Sequence, residues 1–317
     1  MSALVDRITQ KVAAAQSRRV VCVGLSAFDM TWMVEVLPAG SGKQRASAFH
    51  DGGGGMAANA AVTVRRLGAE AHFWGRAGDD VAGRAMRAEL GAEGVDVSGF
   101  RLFAGARSSV SGILVDQHGE RSIVNFRGEA LPADARWLPL ERIDEAAAVL
   151  ADPRWPEGAA AAFAAARGAR VPTILDGDVA DAATLDALLP WVDFAIFSEP
   201  GLQGYAGTTR DIEALLRQAL ERGTRLAAVT VGARGVCWLE EGELWRLPAF
   251  ATEVVDTTGT GDAFHGAAAL ALGAGLAVNE AFIFASAVAA LKCGHRGARA
   301  GLPGLAAVAA FLHDAMG

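Results

Sequence analysis

Cysteine, excess positive charge and long apolar runs are all scarce in this 317-residue sequence, and each shortage removes a class of protein. The three cysteines, Cys22, Cys237 and Cys293, are odd in number, far apart and without metal-type spacing. They exclude a disulfide framework and are expected to be reduced thiols. None of the six histidines is paired at metal spacing, so no zinc site is expected. Lys plus Arg total 29 against 36 for Asp plus Glu, a net charge of -7. The molecule as a whole therefore attracts neither nucleic acid nor an anionic membrane, and an anionic ligand needs local positive charge. The richest apolar stretch, 281–291, is about half the roughly 20 residues that span a bilayer. The first twenty residues mix charges throughout and lack the pattern of a secretory signal. An extra N-terminal helix and a cytoplasmic location are expected.

What is present is a large apolar fraction, 52% against 21% charged, enough for one sizeable core across residues 1–317. Short β-rich runs at 19–24, 71–75, 147–151, 171–175, 194–197 and 226–231 alternate with alanine-rich helical stretches such as 56–67 and 160–166. That alternation predicts an α/β fold with a doubly wound, mostly parallel sheet flanked by helices. Segments 31–49 and 101–126 instead alternate apolar with polar residues. The second contains a hairpin pattern around Gln117-His118-Gly119. They predict a small antiparallel β lid beside the main body.

Residues 246–274 read as a β-segment ending at Val255, a Thr/Gly loop, and a helix starting near Gly261. Glycines let amide groups approach an anion closely, and a helix N-terminus adds partial positive charge. Asp262 falls in the first helical turn, where a carboxylate can either cap the helix or take a proton from an attacking hydroxyl. The run DGGGG at 51–55 also enters a helix. Gly52, Gly54 and Ala57 formally satisfy a dinucleotide-binding fingerprint, but that fingerprint should follow the first strand directly. Ala39-Gly40-Ser41-Gly42-Lys43 lacks the first glycine and the final hydroxyl residue of a P-loop.

The full string Asp256-Thr257-Thr258-Gly259-Thr260-Gly261-Asp262-Ala263-Phe264 resembles the C-terminal signature of the pfkB, or ribokinase-like, sugar kinases. Gly54-Gly55 followed by Asn59 and Leu67-Gly68 resembles their N-terminal one. The resemblance implies a ribokinase-like fold and ATP-dependent sugar phosphorylation. It implies Asp262 as general base and the amides of Gly259, Thr260 and Gly261 as an anion hole. Thr260 departs from the family's usual Ala, a change of little weight because the amide would bind the anion. Asp29, Gly54, Gly55 and Asn59 are implied to hold the sugar, and Thr230, Gly232 and Gly235 the nucleotide. Magnesium is implied to be positioned through water. The family's Glu position is Gly201 here, leaving Glu199 or the ATP phosphates as the candidate holders. A monovalent cation and a homodimer formed through the lid are also implied.

The segments LPAGSGK (37–43), GERSIVN (119–125), ADPRW (151–155), LDGD (175–178) and FSEPGL (197–202) are similar to the sulfofructose kinases within that family. This implies 6-deoxy-6-sulfofructose as substrate, with its sulfonate on Lys43, Asn125 and Arg154. Arg and Lys donors beside an amide suit a three-oxygen anion. A kinase for neutral fructose or ribose, a Rossmann oxidoreductase and a noncatalytic sugar sensor remain open alternatives.

Overall fold

Runs such as Val-Val-Cys-Val and Ala-Ala-Val-Leu have no polar face, so as strands they must be covered on both sides. The computed structural model, which describes residues 2–118, 120–207 and 211–317, arranges them in that way. In chain order the strands are β1 (Arg19–Gly24), β2 (Ala27–Met33), β3 (Ala48–Gly54), β4 (Glu70–Gly78), β5 (Phe100–Phe103), β6 (Val110–Val115) and β7 (Arg121–Phe126). They continue as β8 (Ala146–Ala151), β9 (Thr173–Gly177), β10 (Phe194–Ser198), β11 (Leu226–Thr230), β12 (Val236–Glu240) and β13 (Glu243–Leu247). Nine of them form one sheet in the order β13-β12-β11-β10-β9-β8-β1-β4-β5. From β11 to β5 every neighbouring pair is parallel, and β12 and β13 add an antiparallel hairpin at one edge.

Strand parity divides the core. Val20 and Cys22 face one cluster, with Phe73, Phe100, Trp238, Phe264 and Phe282, while Val21 and Val23 face the other, with Trp74, Trp155, Phe163 and Phe197. The alanine-rich helices Met56–Arg66 and Thr260–Gly273 pack on the first face and against each other, since small side chains permit close approach. The N-terminal helix Ser2–Ala14 buries Val5, Ile8 and Val12, one stripe at helical spacing. Among the described residues, no helix is long and apolar enough to cross a membrane. All three cysteines are free and buried.

The chain runs from β1 outward to β4 and β5, then returns to β8 on the other side of β1. Ligands of such sheets lie at the carboxyl ends of the strands where the order reverses, here β1 and β8. The other four strands form the lid, in the order β3-β2-β6-β7. Its outer pairs are antiparallel as expected, but the central pair, β2 with β6, is parallel. Both strands leave the parallel sheet at the same edge, β2 after β1 and β6 after β5, so they emerge in one direction. The lid also begins earlier than its polar pattern suggests, at Ala27, whereas 100–103 belongs to the main sheet. Gly119, in the expected hairpin turn, lies outside the described residues.

No strand runs up to Val255. Val254 and Val255 are exposed, and the Val255 amide donates to the Cys293 carbonyl of the neighbouring helix end. After this loop, Phe264 anchors the helix Thr260–Gly273, buried with its ring 5.7 Å from that of Phe282. Truncating such a ring leaves a cavity costing about 3–5 kcal/mol. Phe264→Ala is therefore expected to lower the unfolding free energy by that order, and Phe264→Leu by clearly less, in equilibrium denaturant unfolding followed by tryptophan fluorescence.

Candidate active site

A cleft of about 1090 Å³ opens between the lid and the carboxyl ends of β1 and β8. Its floor is the first turn of the helix Thr260–Gly273. Gly259 caps that helix with φ +73°, a left-handed conformation that disfavours any side chain. The Thr260 amide donates to the Thr257 carbonyl at 3.2 Å, so the turn itself occupies one of the three amides assigned to the anion hole. The amides of Gly259 and Gly261 have no such acceptor among the described residues.

Asp262 lies three residues past the cap and lines the cleft. Asn59, from the helix Met56–Arg66, donates its Nδ2 to Asp262 Oδ2 at 2.6 Å. Burial first, and then the charge of Asp176, push Asp262 up to about 7, against the opposing pull of the Asn59 hydrogen bond. Asp176 is itself held well above the ordinary value by burial and by Asp178 and Asp152. Next on the helix, His265 places its ring nitrogens 2.7 Å from the Gly261 carbonyl and 3.0 Å from that of Ile196, with Asp176 Oδ1 at 3.5 Å. It ties the helical turn of Asp262 to β9 and β10.

On the lid, Asp29, Ser111 and Asn125 form one cross-strand row facing the cleft. Asn125 Nδ2 donates to Ser111 Oγ at 3.1 Å. Burial raises Asp29 above its usual value, against the Ser111 hydrogen bond and the Arg299 charge. A Cβ on Gly54 would come within 2.0 Å of Asp29 Oδ2, so this glycine makes room for the carboxylate. Gly55 and Asn59 also line the cleft.

Several residues that no local pattern marks complete the site. Asp152, at the end of β8, accepts from the amides of Leu25 at 2.7 Å, Ala57 at 3.1 Å and Arg154 at 2.9 Å, clasping β1 to the helix bearing Asn59. Arg299 donates to Asn59 Oδ1 at 2.8 Å and to Glu89 at 2.9 Å, and Glu89 accepts from the Gly53 amide at 2.6 Å. Arg121, on lid strand β7, reaches Asp256 at 2.8 Å. The Lys292 ammonium, fully buried, donates to the Asp256 carbonyl at 2.8 Å.

Other sequence candidates lie apart from the cleft or are already paired. Lys43 is exposed in the loop between β2 and β3 and does not line it. Arg154 lines it, but its guanidinium is held by Asp178 at 2.8 Å and the Val179 carbonyl at 2.6 Å. Thr230, Gly232 and Gly235 sit where β11 turns into β12, beyond the cleft wall but at the same sheet edge. Glu199 begins the helix after β10 and pairs with Arg234 of that turn at 2.5 Å. Gly52 and Gly54 lie in lid strand β3 and are not part of the turn that follows the first strand, which disposes of the dinucleotide fingerprint.

Residues 17–305 match the family pattern described as pfkB family carbohydrate kinase. A fructokinase of Klebsiella pneumoniae is 34% identical over 253 residues, covering 73% of this chain and 79% of that protein. The ATP-dependent ribose-1-phosphate kinase of Halopiger xanaduensis is 31% identical over 303 residues, covering 93% and 98%. The structure of Arabidopsis thaliana ribokinase complexed with ribose and ATP superposes with a TM-score of 0.83 at 26% identity, covering 93% of this chain and 99% of that one. With the signature loop, the lid and the sheet order all in place, the chain belongs to the pfkB family of carbohydrate kinases.

Proposed function

We propose that this kinase transfers the γ-phosphoryl group of ATP to a primary hydroxyl of a ketose, with the 1-hydroxyl of 6-deoxy-6-sulfofructose as the preferred acceptor. The observation that carries the transfer is Asp262: a carboxylate pushed up to about 7, at a helix N-terminus, on the floor of a cleft of about 1090 Å³. It takes the proton as the acceptor oxygen bonds to the γ-phosphorus. The bond from that phosphorus to the bridging oxygen breaks, and ADP leaves with the electron pair. The amides of Gly259 and Gly261 face the charge that builds on the phosphoryl oxygens. Asp29, with Ser111 and Asn125 beside it, is suited to fix the sugar hydroxyls, and Thr230, Gly232 and Gly235 to border the nucleotide.

Magnesium, when bound with ATP, neutralises phosphate charge. Glu199 does not fit as its holder here, because Arg234 occupies that carboxylate. Among the described residues, no group of three or more His, Cys, Asp or Glu side chains could hold a metal ion. The ATP phosphates are then its principal ligands. The resemblance also implies a monovalent cation; at the base of the anion loop the chain carries a cation of its own, Lys292.

Two observations favour a second reading, a neutral-sugar kinase: Lys43 stands outside the cleft, and Arg154 is already paired with Asp178. The lid's face turned away from the cleft is apolar, with Met30, Trp32, Leu114, Val124 and Phe126 on it, Val124 76% and Phe126 40% exposed. Such a face and its open strand edges fit a homodimer joined lid to lid.

Asp262→Asn is expected to abolish ATP-dependent phosphorylation, and turnover close to wild type would sink the assignment of the base. In the wild type, kcat/KM is expected to fall on the acid side with an apparent pKa near 7. The folded state holds Asp262 above its ordinary 3.8, so its stabilising contribution is full below that value and is lost as pH rises through about 7. Asp262→Asn should accordingly gain thermal stability over wild type at pH 8 and not at pH 3.5. A panel of ATP with fructose, ribose and 6-deoxy-6-sulfofructose, read by mass spectrometry and KM, separates the two readings. A lower KM for fructose or ribose than for the sulfosugar selects the neutral one. Light scattering should give twice 32.7 kDa, and a monomer at micromolar concentration would remove the lid-to-lid pairing.

A further inference from the structure

Three guanidinium groups line the cleft, and two of them are already committed. Arg154 is held by Asp178 and Val179. Arg76 donates to the carbonyls of Leu131, at 3.2 Å, and Pro132, and lies 5.1 Å from the Trp155 ring centre. Arg127 has no hydrogen-bond or ion-pair partner among the described residues.

Its place in the lid aims it inward. Side chains alternate along a strand, and Ile123 and Asn125 of β7 both line the cleft. Arg127, two residues beyond Asn125, keeps that parity and lines it too, whereas Val124 and Phe126 belong to the opposite face. The cleft's carboxylates are meanwhile accounted for. Asp178 is neutralised by Arg154, and Asp181 caps its helix by accepting from the Thr184 amide and hydroxyl at 2.8 Å each. Asp29 and Asp262 remain at the sugar and phosphoryl positions, and they repel an anion from that end. An anionic substituent on the sugar is driven away from them, towards free positive charge.

We infer that Arg127 receives the distal anionic group of the acceptor sugar, a sulfonate or a phosphate monoester, with Asn125 beside it and Arg76 adding charge from a fixed position. Arg154 then acts by holding Asp178, and Lys43 lies outside the contact. A guanidinium fork matches two oxygens of either group, as a lysine ammonium does not. The inference rests on the anionic-sugar reading and replaces two of the residues that the resemblance assigned to it.

The test compares wild type, Arg127→Gln, Arg127→Lys and Lys43→Ala, each full length, on 6-deoxy-6-sulfofructose, fructose 6-phosphate and fructose with saturating ATP. Whichever anionic acceptor has the lower wild-type KM identifies sulfonate or phosphate. Arg127→Gln is expected to raise the KM for that acceptor about tenfold or more beyond any change for fructose, with a smaller rise for Arg127→Lys and none for Lys43→Ala. An Arg127→Gln KM for the anionic acceptor within about twofold of wild type, with thermal stability unchanged, overturns the role of Arg127 and leaves the anionic reading standing. A wild-type KM lower for fructose than for both anionic sugars overturns the two together.

Discussion

As the proposed base, Asp262 must carry negative charge in a place where burial and other carboxylates oppose that charge, and the architecture around the cleft answers this single conflict. Asp262 shares its surroundings with Asp152 and Asp176, all three raised above the ordinary carboxylate value, each with burial as the leading cause. What favours the ionised form is local: the partial positive charge of the helix N-terminus and the amide of Asn59. The balance leaves a group poised near neutrality, where proton transfer to a general base is most effective.

The Asn59 contact works only if the amide is oriented, because a flipped side chain would set its oxygen against the carboxylate. Arg299 fixes it by donating to Oδ1. A buried guanidinium needs compensation of its own, which Glu89 and the Gly54 carbonyl supply, and Glu89 in turn accepts from the Gly53 amide. A chain of four polar groups therefore runs from Asp262 to lid strand β3. The orientation of Asn59 and the seat of the lid are one network, in which each member satisfies the next.

What could be read in the sequence was what is local. The Thr/Gly loop, Asp262 and the helix that carries it occupy one stretch of chain, and the buried parallel strands declare themselves as unbroken apolar runs. The Gly54-Gly55 turn and Asn59 were legible for the same reason. Arg299 and Glu89 were not, because they meet Asn59 and each other across 240 and 210 residues and sit in unremarkable local text. The parallel pairing of β2 with β6 is likewise a matter of two distant segments meeting. The β-rich residues before Asp256 misled because propensity counts only where a neighbouring strand exists, and there the Val255 amide meets a helix end. Lys43 and Glu199 came from the family resemblance, which carries no information on their surroundings here: Lys43 is exposed in the loop after β2, and Glu199 is paired with Arg234.

Asp256, the first residue of the signature, shows why that string matters beyond Asp262. Its Oδ1 accepts from Arg121 of the lid at 2.8 Å and from the Thr258 amide and hydroxyl at 2.8 and 2.7 Å. Its Oδ2 accepts from the Gly297 amide at 2.8 Å, and its carbonyl takes Lys292. Burial alone would raise this carboxyl, yet the Thr258 and Gly297 hydrogen bonds and the Lys292 charge hold it below the usual value. An asparagine would offer one acceptor oxygen to four donors and turn an N–H₂ group against the rest, so this position requires a charged carboxylate. That carboxylate binds the lid hairpin, the Thr/Gly loop and the C-terminal loop at one point, which places the lid and the first turn of the helix Thr260–Gly273 in a common frame around Asp262.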